Sequence, residues 1–216
     1  MRSRLMSCVV AITVAFMSSA AMAAKDSGKT KKEPAPVRKS SASDIVYTPG
    51  AFYGTKSLNK SDWAPLESQS EWGLDVAIEN PDWPYTIVAV YSSSKASGKT
   101  TSDIPGVEFD GSTGEIGLGL RHIIEGDSDV MSFFIEGGAV QISAEYSGTD
   151  TTTGDKLSDS GSAIGYWIGG GIDYLVTDTI SVGLEARMSA ADVKLFGGEV
   201  GAGGTHLGVT LRYHPE

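Results

Sequence analysis

From residue 50 onward the chain alternates apolar and polar side chains with a period of two, the signature of β-strands with two unlike faces. Ile180, Val182, Leu184, Ala186 and Met188 alternate with Ser181, Gly183, Glu185, Arg187 and Ser189. Leu207, Val209, Leu211 and Tyr213 do so with His206, Gly208, Thr210 and Arg212, and Ile116, Leu118 and Leu120 with Glu115, Gly117, Gly119 and Arg121. The pattern predicts eight strands, near 50–58, 71–79, 84–94, 112–124, 131–146, 162–176, 179–192 and 204–213. Around Gly137-Gly138 the apolar phase slips by one residue, from Phe133, Ile135 and Ala139 to Val140, Ile142, Ala144 and Tyr146. A β-bulge is expected there.

The connections alternate short and long. Asn80-Pro81-Asp82-Trp83, the segment 125–129 and Thr177-Asp178 are tight, whereas 59–70, 95–111, 147–161 and 193–203 are longer and mostly polar. Short turns at one end and long loops at the other predict an all-β fold: an eight-stranded antiparallel up-and-down transmembrane β-barrel. Most of the clear runs span about 9–13 residues, suited to tilted membrane strands.

Alternation alone also fits a soluble lipocalin-like barrel, with the apolar face inside. Two features favour lipid on the outside. The polar face is rich in glycine, which weakens a water-facing strand but makes room inside a narrow barrel for long side chains such as Glu185, Arg187 and Arg212. Aromatic residues gather near both strand ends: Trp83, Tyr85, Phe133, Phe134, Tyr174 and Tyr213 toward the turns, and Trp72, Tyr91, Tyr146 and Tyr166 toward the loops. The interior then holds a network of charges, Asp75, Glu115, Arg121, Glu136, Asp173, Glu185, Arg187 and Arg212, with Lys56 and Glu79 in the same phase. Buried charges must pair, so a plugged, salt-bridged lumen is expected rather than an open channel.

The segment before the barrel has a different composition. Arg2 and Arg4, the apolar run Leu5–Met17 and Ala21-Met22-Ala23 make residues 1–23 a secretory signal peptide, cleaved before Ala24. Cleavage removes Cys8, the one cysteine. Residues 24–49, basic and rich in Ser and Pro, read as a disordered periplasmic tether, and 50–216 as the barrel. The whole chain has a net charge of −10. An acidic balance excludes nucleic acid as a partner, and the lack of thiols excludes a disulfide scaffold or a cysteine-rich zinc site.

The eight-strand pattern over Gly50–Tyr213, the segment Gly165-Tyr166-Trp167-Ile168-Gly169-Gly170-Gly171 and the closing Gly204–Tyr213 resemble the small outer-membrane β-barrel proteins of the OmpA/OmpX-like superfamily. The resemblance implies an outer-membrane location with both termini periplasmic. It also implies contact with outer-membrane lipids and lipopolysaccharide, and folding by the barrel-assembly machinery. Barrels of this kind commonly end on an aromatic residue, whereas His214, Pro215 and Glu216 follow Tyr213 here.

Some barrels of that superfamily act on lipid A, and a hydrolase of that sort needs a serine, a histidine and a carboxylate in reach. Beyond the leader the histidines are His122, His206 and His214, and His206 could meet Ser189 or Glu199 across strands. No local sequence resembles the triad of the lipid A deacylases. The acidic loop Gly148–Asp159 lacks the spacing of a calcium loop. The expectation is a structural or surface-interaction barrel without a catalytic, cofactor or metal site, meeting any extracellular partner through loops 95–111 and 147–161. The alternatives are a lipid-A-modifying barrel enzyme and a soluble lipocalin-like ligand carrier.

Overall fold

The computed structural model describes residues 45–99, 106–125 and 130–215. The leader, most of the tether and the turn 126–129 lie outside them. Eight strands close a barrel: β1 (Val46–Leu58), β2 (Ser68–Glu79), β3 (Thr86–Lys99), β4 (Val107–Glu125), β5 (Met131–Asp150), β6 (Lys156–Thr177), β7 (Ile180–Ala190) and β10 (Gly204–Tyr213). Every neighbouring pair is antiparallel, and β10 closes against β1 with Gly50 opposite Arg212. Closure pairs every strand on both sides, so no sheet edge meets hydrocarbon. Between β1 and β2 lies the single-turn helix α1 (Lys60–Trp63), and between β7 and β10 a small hairpin, β8 (Asp192–Leu195) and β9 (Gly198–Gly201).

The two faces are as unlike as the sequence alternation. Leu184 is 62% exposed and its neighbour Glu185 5%. An outward belt of Leu74, Ile116, Leu118, Leu120, Ile168, Leu184 and Leu211 is exposed all round, the surface that a bilayer would cover. Tyr53, Trp72, Tyr91 and Tyr166 edge the belt toward one end, and Tyr47, Tyr85, Phe133, Tyr174 and Tyr213 toward the other. Two of the aromatics assigned to these rings face the other way. Phe134 is buried in the lumen, and Tyr146 turns inward beside Trp63 and Phe109.

The barrel is not of even height. β4, β5 and β6 run for 19, 20 and 22 residues, against 13, 12, 11 and 10 for β1, β2, β7 and β10. The long strands rise at the loop end as a wall. Most of the expected loops 95–111 and 147–161 are therefore strand: Ser147, Gly148 and Thr149 pair with Ser158, Leu157 and Lys156, and only 151–155 turn between β5 and β6. β1 likewise starts at Val46, inside the stretch read as tether, and β2 at Ser68.

In the wall the polarity of the faces inverts. Outward positions become polar: Glu108, Asp110 and Ser112 on β4, Gln141, Ser143 and Glu145 on β5, and Ser158, Ser160 and Ser162 on β6. Inward positions become apolar: Val140, Ile142 and Ala144 are buried. This inversion is the phase slip at Gly137-Gly138. The register from Leu120↔Gly137 to Gly117↔Val140 runs unbroken, so no bulge is present, and the apolar residues change face while the strand continues.

The connection 193–203, read as a long and mostly polar loop, holds the β8–β9 hairpin and folds inward. Val193 and Leu195 of β8 join Trp63, Leu58, Ile142, Ala144 and Ala202 in one buried cluster that caps the barrel. Leu66 is fully buried as well. Trp63 Nε1 donates to Gly201 O at 2.7 Å and Gly201 N–H to the Asp62 carboxylate at 3.2 Å, tying the α1 segment to β9. β8 crosses β6 at Gly161, where a Cβ would stand 2.6 Å from Lys194 O. The hairpin turns at Phe196 (φ 51°) and Gly197 (φ 77°), two positive φ values that the right-handed twist of a two-residue hairpin turn favours. Phe196 has a Cβ and adopts this conformation at a cost.

Candidate functional site

The charged residues of the lumen form two clusters. At the turn end Arg212 is the hub. Its Nη1 donates to both oxygens of Asp173 (2.6 and 2.8 Å), Nη2 to Glu185 (2.8 Å) and Nε to Asp75 (3.4 Å). Arg121 holds Glu136 at 2.8 Å and the same Asp75 oxygen at 3.4 Å. Both guanidinium groups lie over the Phe134 ring, Arg121 at 4.6 Å and Arg212 at 4.9 Å from its centroid. Favourable cation–π contact thus explains an aromatic residue in this charged layer.

Nearer the wall, Lys56 Nζ donates to Glu115 (2.7 Å), Thr113 (2.8 Å) and Ala202 O (3.0 Å). Arg187 reaches Glu71 at 3.4 Å and Ser92 at 3.2 Å. Trp167 lies between the clusters, over Gly117 and Gly119, where an added Cβ would stand 3.0 and 2.8 Å from its ring. The lumen glycines make room for an indole as well as for long charged chains. A gap lined by Phe52, Val90, Arg121, Glu185 and Arg187 has a volume of about 10 Å³, room for no more than about one water.

All eight residues expected in the lumen network face inward and are buried or half-buried. Asp75, Arg121, Glu136, Asp173, Glu185 and Arg212 meet in one cluster, and Glu115 and Arg187 stand in the other. Glu71 and Gln69, both buried, belong with them but fall before or at the edge of the second strand as read from sequence. Extending the period of two backward from Glu79 through Asp75 reaches both positions.

His206 is fully buried. Its Nδ1 lies 2.8 Å from both Glu71 oxygens, and its Nε2 lies 3.0 Å from Ser189 Oγ. Of the two partners expected for His206, Ser189 is therefore met. Glu199 is not: it sits on exposed β9, and Glu71 takes its place. Serine, histidine and carboxylate stand in the order that a serine hydrolase uses. Yet Ser189 Oγ donates to Glu115 at 2.8 Å and accepts from Gly204 N–H at 3.2 Å. Ser189 Oγ therefore has a second carboxylate, Glu115, as well as His206 within hydrogen-bond reach. His122 is outward beside Tyr85, their rings 5.6 Å apart, and His214 bonds Ser181 at the turn end. Among the described residues no cluster of His, Cys, Asp and Glu could hold a metal ion.

Above the cap, a recess of about 550 Å³ lies against the inner face of the wall. Phe109, Tyr146, Leu157 and Phe196 form its apolar sides, Gly148 its floor and Lys156 part of its rim. The register places Phe109 opposite Gly148 and Gly148 opposite Leu157, so the two large side chains flank a glycine. Burial raises the pKa of the Tyr146 hydroxyl above its usual value.

No protein-family model and no curated protein matches the sequence. Among solved structures the chain is similar to Neisserial surface protein A (NspA), with a TM-score of 0.52 at 13% identity, over 78% of this chain and 96% of that one. It is similar to a major outer membrane protein from Thermus thermophilus, with a TM-score of 0.52 at 12% identity, over 79% of this chain and 99% of that one. At such identities the likeness is one of fold, and the fold is that of outer-membrane β-barrel proteins.

Proposed function

We propose that this outer-membrane barrel is a non-catalytic surface-interaction protein, with its termini in the periplasm and the wall of β4, β5 and β6 standing outside the cell. The observation that carries the reading is the inversion of polarity along the wall. Side chains such as Ser112, Ser143 and Ser160 face outward above the belt, where a bilayer would leave them unpaired. The wall therefore suits water, and it presents an apolar face to the inside, where a partner can be held. The filled lumen supports a binding role over conduction. The tight turns, of which Asn80–Trp83 and Thr177-Asp178 are described, suit the periplasmic side.

A single cysteine at either end tests the orientation, since Cys8 lies in the leader. On intact cells a membrane-impermeant maleimide should label Thr152→Cys, and should label Asp82→Cys only after the periplasm is opened. The opposite pattern overturns the reading.

A hydrolytic reading has the Ser189–His206–Glu71 row in its favour. Against it stand the Ser189–Glu115 hydrogen bond and the complete burial of His206. A fluorophosphonate should leave Ser189 unmodified in the folded barrel, and a stoichiometric Ser189 adduct would instead establish a reactive serine.

A further inference from the structure

At the recess, the charges on the inner face of the wall are of one sign. Phe109, Tyr146, Gly148, Asp150 and Leu157 occupy neighbouring inward positions of β4, β5 and β6. Asp150 and Asp155 border the recess. Asp159, opposite Tyr146 on β6, adds a third carboxylate to the same face. Lys156 borders the recess too, but it alternates with Leu157 and so stands on the outer face. There it lines a second hollow with Lys95, Asp110, Ser112 and Glu145. Asp150 accepts from the Thr152 and Thr153 amides (2.7 and 3.1 Å), and Asp155 from the Thr153 hydroxyl (2.9 Å). These donors are neutral, and neither carboxylate has an ion pair among the described residues. From Asp44 onward the chain holds 9 basic and 25 acidic residues, so the field of the whole barrel has the sign of its recess.

Three aromatic rings meet these carboxylates. Phe109 and Tyr146 lie 6.0 Å apart and are inclined by 50°; Tyr146 and Phe196 lie 6.4 Å apart at 86°, so neither pair is stacked face to face. Phe196 and Leu157 are exposed and stand outside the buried cluster of the cap. Phe196 keeps a φ of 51° with its N–H bound by the Asp159 carboxylate, and strain of this kind gathers at ligand sites. A Cβ at Gly148 would stand 3.4 Å from Val107 and 3.5 Å from Phe109, in ordinary contact, so the backbone does not require the glycine and its absence of a side chain keeps the floor open. The faces of aromatic rings are negative, and with carboxylates beside them they attract an organic cation. An ammonium with N–H groups needs acceptors, and the carboxylates of Asp150 and Asp155 lie at the rim. A quaternary ammonium has no N–H to satisfy and can sit among the rings. The volume of about 550 Å³ leaves room for an alkyl chain beside such a headgroup.

We infer that the recess binds one free alkyl quaternary ammonium ion, its headgroup against Phe109, Tyr146 and Phe196 and its chain over Gly148 and Leu157, with Asp150 and Asp155 supplying the opposite charge. The inference rests on the reading of the wall as the exposed part of a surface-interaction barrel. The test titrates the whole mature protein, in an uncharged maltoside detergent, with hexyltrimethylammonium, 1-hexanol or hexanoate. Methyl and amide NMR signals report the site. Saturable shifts are expected at Leu157, Gly148 and Phe196 with the cation, about tenfold tighter than with the alcohol or the acid, while Leu184 in the belt does not distinguish the three. Asp150→Asn with Asp155→Asn keeps acceptor oxygens for the turn and removes both charges. It should weaken the cation several-fold and leave hexanol unchanged. Phe196→Asn, which accepts the positive φ, should weaken the cation about tenfold, and Gly148→Leu should abolish saturable binding. Heat-dependent gel mobility verifies that each variant is an assembled barrel.

Hexanol or hexanoate binding as tightly as the cation overturns the inference, as does a cation affinity indifferent to the paired Asp→Asn changes or to Phe196→Asn. Shifts of the same signals on dilution of the protein without any probe would make a second copy the occupant and overturn it too. Maleimide labelling of Thr152→Cys on cells is independent of these outcomes. A labelled tip with no cation binding defeats the ammonium site alone, and an inaccessible tip defeats the surface reading beneath it.

Discussion

Ile116 and Ser112 lie on the same face of the same strand, four residues apart, and are built for opposite surroundings. Below, in the belt, β4 carries Ile116, Leu118 and Leu120 outward and Glu115 and Arg121 inward. Above, in the wall, it carries Asp110 and Ser112 outward and packs its inner face under Trp63 and Leu66, whose atoms stand 3.2 and 2.9 Å from where a Gly111 Cβ would be. A strand keeps its pleat across this boundary, so the polarity of a face reports what that face touches at each level and is not a property of the strand. The belt and lumen form one region, apolar outside and charged within; the wall forms another with the signs reversed.

Several substitutions would break or sharpen that contrast. The largest effect is expected in the charged interior. Arg212→Met leaves Asp75, Asp173 and Glu185 without their shared guanidinium, and loss of one partner from a buried ion-pair cluster costs about 3–5 kcal/mol. Unfolding in urea with the barrel in lipid should fall by that much; an unchanged midpoint would mean that water already solvates the cluster. Next comes a matched pair on the outer face. Leu184→Arg in the belt should cost roughly 2–4 kcal/mol near mid-bilayer, whereas Ser160→Arg in the wall should stay within about 0.5 kcal/mol. Equal penalties at the two positions would erase the boundary.

A smaller loss is expected at the junction of the two regions. Ser189→Ala removes a hydroxyl donated to Glu115 and should cost about 1.5–3 kcal/mol in the same measurement. The smallest effect lies at the tip of the wall. The Thr152 and Thr153 amides hold the Asp150 carboxyl below the usual aspartate range. A depressed folded value means that the contribution is present above the ordinary aspartate pKa and is lost as pH falls through the lower folded value. Amide exchange at Thr152 and Thr153 should therefore stay slow through the ordinary aspartate range and speed up only in stronger acid. Asp150→Ala should remove that pH step.

How far the sequence could be read follows the same boundary. In the belt, two solvents as different as lipid and a charged lumen write a clean alternation, and Leu184 and Glu185 could be assigned to faces without a structure. In the wall the outer face meets water and the inner face is crowded, so Ser, Gly and Thr occupy both, and the strand ends of β4, β5 and β6 read as loops. The cap was equally faint, because Trp63, Leu66, Val193 and Leu195 are single apolar residues in polar stretches, and only tertiary contact makes them a cluster. The tight positions of β8 against Gly161 and of Trp167 over Gly117 leave no local mark except glycine itself. His206 was legible as a candidate, but its carboxylate partner was not, since Glu71 pairs with it from 135 positions away.

The latch between Trp63 and Gly201 has a kinetic consequence. Its hydrogen bond spans 138 residues, and the seam it sits above, β1 against β10, joins Val46–Leu58 to Gly204–Tyr213. Both need the ends of the barrel brought together, and loop-closure entropy grows only slowly with length once that cost has been met. The α1 segment and β9 are then already neighbours when the seam zips, so the cap can form with closure and not after it. A barrel held open at that seam would also be uncapped, its buried Lys56 and His206 open to water until the first and last strands meet.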